Sequence, residues 1–259
     1  MEIVTNSCIL IAFIFGISIG SFLNVLIHRL PIGESIVRPR SRCPQCGRYI
    51  RWFENVPLLS YILLGGRCRG CRSKIPLRYP AVELLSGVFA VFSLWRYGVT
   101  LEALWVYAFL VVLLAIAVID WRHQIIPDVL SLGGVILGIT GAFVCLSIDP
   151  IEAFIGTAFG ASILIVIALI YKAVRKIDGL GGGDVKLMAM IGAFLGWQMV
   201  LLVLFIASLM GSLYGLHLMR SGGDGKTAVA FGSFLAPSAA IVFFFGGRLL
   251  ELYFGLYPR

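Results

Sequence analysis

The sequence is poor in charge. Only 13% of its 259 residues are Asp, Glu, Lys or Arg, while 59% are hydrophobic. Soluble domains carry about 25% charged residues, so an ordinary soluble domain is excluded. The chain also lacks a convincing internal repeat, and residues 179–183 are its only low-complexity tract. No small-residue cleavage site follows the first apolar run, which continues into Asn24 and His28-Arg29. That run therefore reads as a retained helix rather than a removed signal peptide.

What is present is apolar sequence in blocks, with a mean hydropathy of +0.98. The fold class this predicts is an all-α polytopic membrane protein with about eight transmembrane helices. The spans fall near 8–27, 81–96, 101–119, 129–148, 153–171, 185–197, 199–218 and 231–254. The sixth is short against the roughly 20 residues a crossing helix needs. Gly196-Trp197-Gln198 is the plausible turn separating it from the seventh. Gly156 and Gly160 lie four apart, as do Gly192 and Gly196, a spacing that lets helices approach closely in lipid. Cys8 and Cys145 lie in apolar spans and read as ordinary buried or lipid-facing residues.

Eighteen of the 21 Lys and Arg lie in 28–80, 121–128, 172–186 and 219–230. If eight spans alternate, these segments share one face, and their positive charge marks it as cytoplasmic. Both termini are then expected outside. The formal charge of +8 follows from topology, and nucleic-acid binding is not needed to explain it. Three parts are expected: a first helix at 1–27, a polar insertion at 28–80, and a membrane core at 81–259.

The insertion has few aliphatic residues, and a domain that small usually needs a staple. Cys43-Pro-Gln-Cys46 and Cys68-Arg-Gly-Cys71 are separated by 21 residues. Four thiolates at this spacing fit a tetrahedral structural zinc site. A pair of disulfides is the competing reading, disfavoured on the reducing cytoplasmic side. Four protein ligands leave no open position for water, so such a zinc is structural.

Two acids sit where apolar runs meet this face. Asp120 ends AFLVVLLAIAVI, and Asp184 follows Gly181-Gly182-Gly183 and opens VKLMAMIGAFLGW. Carboxylates at the edge of hydrocarbon are costly and are functional candidates by default. Two of them on separate helices can share one proton, as in an aspartic protease. The blander alternatives are a helix cap at Asp184 and an interfacial charge at Asp120. Asp128 is an alternative second acid or a cap, and Lys186 either pairs with Asp184 or snorkels to the boundary. A proton-coupled transporter would also use such acids, but it leaves the cysteine pairs and the glycine run without a role.

Six motifs then occur in order: Gly20-Ser21-Phe22-Leu23-Asn24-Val25, the two cysteine pairs with Glu54-Asn55-Val56-Pro57-Leu58-Leu59-Ser60-Tyr61 between them, Arg78-Tyr79-Pro80-Ala81-Val82-Glu83-Leu84-Leu85, the stretch from Asp120 to Asp128, and GLGGGDVKL. Over roughly residues 16–237 the chain resembles the bacterial prepilin peptidases, bifunctional leader peptidases and N-methyltransferases of type IV pili and type II secretion. The resemblance implies a GxGD-type intramembrane aspartic protease of the inner membrane. It cleaves the basic leader of a prepilin or pseudopilin after a glycine, then methylates the new N-terminal residue, usually Phe, with S-adenosylmethionine. Carried over, the catalytic pair is Asp120 and Asp184, and the zinc ligands are Cys43, Cys46, Cys68 and Cys71. The loop containing Gly65 and Gly66 is where the resemblance places methylation, although no GxGxG fingerprint locates the cofactor. A peptidase without methylation is the nearer alternative.

One departure stands out. Family members often read Pro-Phe-Gly-Pro-Phe near the last span, where this chain has Ala230-Phe231-Gly232-Ser233-Phe234. The change falls on neither aspartate and no cysteine, and is expected to leave them untouched. Recognition of a basic leader is expected to use local acids, with Glu34, Glu54, Glu83 and Asp178 as candidates. Glu83 also reads as a first-turn helix acid.

Overall fold

The computed structural model describes residues 6–145, 148–176, 179–221 and 230–255. In chain order its helices are α1 (Asn6–Arg29), a five-residue α2 (Leu59–Leu63), α3 (Arg78–Tyr97), α4 (Leu101–His123), α5 (Asp128–Val144), α6 (Pro150–Arg175), α7 (Gly182–Leu195), α8 (Trp197–Arg220) and α9 (Gly232–Gly255). All but α2 correspond to the eight apolar runs, with ends within four residues of those expected. Helices α1, α4, α6, α8 and α9 are long and apolar enough to cross a membrane. The protein is therefore a multi-pass membrane protein, all-α among the described residues apart from two isolated β-bridges in the insertion.

Two compact units divide the chain, Met1–Ala115 and Ile116–Arg259, with the break inside the continuous α4. In the first, α1 and α3 lie in close contact through glycine. A Cβ at Gly16 would come within 2.7 Å of Ala90, and one at Gly20 within 2.6 Å of the Glu83 backbone. That approach lets the Ser86 hydroxyl donate 2.7 Å to the Gly16 carbonyl, with the Tyr107 hydroxyl 2.8 Å from Ser86 Oγ. At the other end of the pair, Asn24 Nδ2 donates 3.0 Å to the Tyr79 carbonyl. These contacts fix where the chain leaves α1 and re-enters α3, and so where the insertion is anchored.

The second unit is built around α7. Its 14 residues rise about 21 Å at 1.5 Å each, short of the roughly 30 Å hydrocarbon core. Such a helix persists because protein covers it: α5, α6, α8 and α9 all pack on it, and Leu187 to Ala193 are buried. Closest is α6, where a Cβ on Gly156 or Gly192 would overlap the other's carbonyl oxygen. The two glycine pairs singled out by spacing thus serve helix packing. Gly196, at φ 77°, alone turns the chain from α7 into α8. By contrast α6 and α8 leave Ile155, Val166, Leu169, Phe205, Leu209 and Leu213 exposed, the pattern expected of surfaces facing lipid.

Candidate active site and cysteine cluster

Each cysteine pair folds into the same small knuckle. Cys43 N–H donates to the Arg48 carbonyl and Cys68 N–H to the Ser73 carbonyl, both at 2.9 Å. Four residues after the first cysteine of each pair the backbone turns left-handed, at Gly47 (φ 70°) and at Arg72 (φ 59°). Bridges Arg42–Tyr49 and Arg67–Lys74 close the two loops. The four sulfurs converge within 4.8 Å of one another, and Cys43 Sγ lies 3.9 Å from Cys71 Sγ. A tetrahedral centre with Zn–S bonds of about 2.3 Å requires sulfurs about 3.8 Å apart, so the donor set fits a zinc ion. Ser73, by its hydroxyl and then its amide, lowers the Cys71 thiol.

Between the knuckles, Glu54 holds the insertion together. Arg48 Nη2 donates to both its oxygens at 2.6 and 2.8 Å, and the Arg51 amide donates at 3.1 Å. The Arg51 amide and then Arg48 hold its carboxyl below the usual carboxylate range. Gly65 (φ 59°) and Gly66 (φ 66°) turn the chain after α2, and a side chain at Gly66 would strike the Tyr61 hydroxyl. Glu83 is not a first-turn acid of α3. It sits one turn further in, where its carboxylate accepts the Leu58 amide at 2.8 Å. Glu34 lies 3.7 Å from Arg42, and Asp178 lies outside the described residues.

The aspartates lie together in the second unit. Asp120, in the last turn of α4, is 4% exposed, and Asp184, in the first turn of α7, is 9% exposed. The charge of Asp120 bears directly on Asp184. Both face the start of α9, where consecutive amides serve them in turn. The Gly232 amide, together with that of Gly181, acts on Asp184, and Ser233 N–H donates 2.7 Å to Asp120 Oδ2. A Cβ at Gly232 would stand 2.9 Å from Asp120 Oδ2 and 2.7 Å from Ile126, so any larger residue there would have to displace one of these side chains. Gly183 faces Ile126 in the same way, so the GGGD run lets the 124–127 loop pass close by.

Ser233 corrects the expectation that the 230–234 departure leaves the aspartates untouched. Its hydroxyl donates 3.1 Å to the same Asp120 oxygen as its amide. Lys186 pairs with neither aspartate. Its Nζ donates 2.7 Å to Asp128 Oδ1 across a partly exposed surface, which fits its position two residues past Asp184 on a helix, where side chains diverge. An exposed pair of this kind contributes about 0–1 kcal/mol. Asp128→Ala is therefore expected to keep peptide cleavage within about tenfold of wild type. Measured initial rates that fall as far as those of Asp184→Ala would instead make Asp128 the second acid.

Residues 14–97 match the bacterial peptidase A24 N-terminal domain, and residues 107–216 match the type IV leader peptidase family. A prepilin leader peptidase/N-methyltransferase of Pseudomonas putida is 35% identical over 264 residues, covering 93% of this chain and 92% of that one. The chain belongs to the type IV leader peptidase family. A protein of the same description from Pseudomonas aeruginosa is 35% identical over 269 residues, 95% of this chain and 93% of its own. Another, from Myxococcus xanthus, is 42% identical over 212 residues, which is 82% of this chain and 63% of that longer relative. No solved structure matches the chain. The four cysteines fall within the first matched stretch and both aspartates within the second, whereas Ser233 lies beyond either. Nothing in these relatives favours a transporter.

Proposed function

We propose that this peptidase of the bacterial inner membrane cleaves the basic leader of type IV prepilins or pseudopilins after a glycine and then N-methylates the new N-terminal residue. The observation that carries the reading is the pair of buried carboxylates, Asp120 and Asp184, joined by two consecutive amides of α9 in a member of this family. With one proton between them, the ionised carboxylate takes a proton from water as its oxygen attacks the scissile carbonyl carbon. The protonated partner donates to the carbonyl oxygen. Collapse of the tetrahedral intermediate returns a proton to the departing amine, leaving a leader carboxylate and a free pilin N-terminus. Such a pair is expected to titrate as one coupled unit.

Charge asymmetry supports placing both aspartates and the insertion at the cytoplasmic face, with both termini outside. We assign cleavage to the membrane core at 81–259 and associate methylation with the insertion at 28–80, which follows the first helix at 1–27. Zinc held by Cys43, Cys46, Cys68 and Cys71 would fold that insertion. S-adenosylmethionine would supply the methyl group for the new amine. Between the end of α1 (Phe22, Val25, Arg29) and the insertion (Tyr49, Arg51, Trp52) lies an open cleft of about 840 Å³. Exposed aromatic faces and guanidinium groups suit an adenine ring and a carboxylate, the two ends of that donor.

Purified protein incubated with a prepilin and S-adenosylmethionine is expected to give a pilin lighter by its leader and heavier by one methyl group. Intact mass spectrometry reads both events. Cleavage without the added methyl would leave a peptidase alone, and an unchanged precursor would remove the assignment.

A further inference from the structure

Asp120 and Asp184 are chemically identical, and in a shared-proton mechanism one is ionised while the other holds the proton. The start of α9 supplies the difference. Asp184 is reached by the Gly181 amide at the start of α7 and by the Gly232 amide of this turn, and Asp120 by the Ser233 amide of the same turn. Asp120 alone receives a side-chain donor from it as well, the Ser233 hydroxyl at 3.1 Å, on the oxygen already bonded by the Ser233 amide at 2.7 Å. Two donors on one carboxylate oxygen favour its ionised form. The hydroxyl's other acceptor is more distant, the Ala117 carbonyl at 3.5 Å.

Resting on the dyad reading above, we propose that Ser233 is a positioning residue that fixes Asp120 as the ionised, water-activating member of the pair and leaves the shared proton on Asp184. Water then gives its proton to Asp120, and Asp184 protonates the scissile carbonyl oxygen. The groups acting on Asp120 are few. From α9 they are the amide and hydroxyl of Ser233, and from α7 the carboxylate of Asp184. The nearest cation on α7, Lys186, is tied to Asp128 at the start of α5. Arg122 and His123 follow Asp120 on α4 itself, and His217 and Arg220 close α8. The first turn of α9 carries no charged side chain.

Proline is tolerated in the first turn of a helix, the place Ser233 holds in α9. Ser233→Pro therefore removes both donors from a backbone that accepts the change. Ser233→Ala removes the hydroxyl alone, and Ser233→Thr keeps both donors.

The test is the pH dependence of kcat/KM for a prepilin peptide with full-length protein in detergent or bilayers, with thermal unfolding of each variant measured alongside. The acid limb is expected to move up by about half a pH unit in Ser233→Ala and about one unit in Ser233→Pro. The loss should appear in kcat, with KM unchanged, and Ser233→Thr should restore the wild-type limb. Superimposed acid limbs for wild type and Ser233→Ala, in stably folded protein, would overturn the proposal, as would a change confined to KM. Should Ser233→Pro fail to fold, the alanine and threonine pair decides alone. Asp120→Ala is the control for the underlying reading: if it still cleaves, the dyad falls, whereas a dead Asp120→Ala with unshifted Ser233 variants removes only the role given to Ser233.

Discussion

Replacing Cys71 with Ser is expected to lower bound zinc from about one ion per chain to none. The insertion has little else to hold it. Its regular structure is confined to α2, a 3₁₀ turn at Trp52–Glu54, another at Leu30–Ile32 that leads out of α1, and the two bridges that close the knuckles. Trp52, Val37, Leu63 and Leu77 remain exposed rather than forming a core. In such modules metal-binding free energy is folding free energy. The Glu54 ion pairs with Arg48 and Arg69 connect the knuckles but do not replace the centre, because partly exposed pairs contribute little. Elemental analysis of purified wild type and Cys71→Ser reads the metal directly. Limited trypsinolysis reads the fold: Arg40, Arg51, Arg67 and Arg72 should be cut at least ~10-fold faster in the variant. Full zinc content in Cys71→Ser, with unchanged cutting, would contradict a four-cysteine structural site.

Removing either aspartate is expected to have the larger catalytic effect. General acid or base catalysis contributes about 10²–10⁴-fold per group, and this pair acts as a unit, so each single loss should slow cleavage at least ~10³-fold. Folding is expected to survive. Asp120→Ala takes one acceptor from Ser233, but its amide still has the Ala230 carbonyl at 3.3 Å and its hydroxyl the Ala117 carbonyl at 3.5 Å. At Asp184 the Gly232 and Gly181 amides lie at helix starts, where unpaired amides are ordinary. Loss of cleavage with retained assembly in the membrane is the signature of missing chemistry rather than of a missing fold.

Features carried by a local pattern are legible in the sequence, and those carried by a tertiary contact are not. The eight helices other than α2 follow from apolar runs, and the knuckles from cysteine spacing, both of which are local. Asp120 and Asp184 stand out because an acid beside an apolar run is costly and has few structural roles to fill. Ser233 carries no such signal. A serine between Gly232 and Phe234 is unremarkable until α9 brings it across 113 residues of chain to Asp120. The partner of Lys186 is hidden for the same reason, since Asp128 lies 58 residues away and on another helix. Glu83 resembles a helix-end acid in the sequence because its acceptor role depends on Leu58, whose backbone turns to φ 60° in the insertion. The shortness of α7 is visible in its apolar run, but the four helices that shelter it are not.

That Asp120 and Asp184 together hydrolyse the leader bond is the central claim. It is tested most directly by the intact mass of a prepilin after incubation with wild type, Asp120→Asn or Asp184→Asn, the near-isosteric changes that keep the shape of the site. The expected spectra show mature pilin with wild type and only the uncut precursor with each variant, over times at least ~10³ longer than one wild-type turnover. Mature pilin formed by either variant at a rate near that of wild type would contradict it.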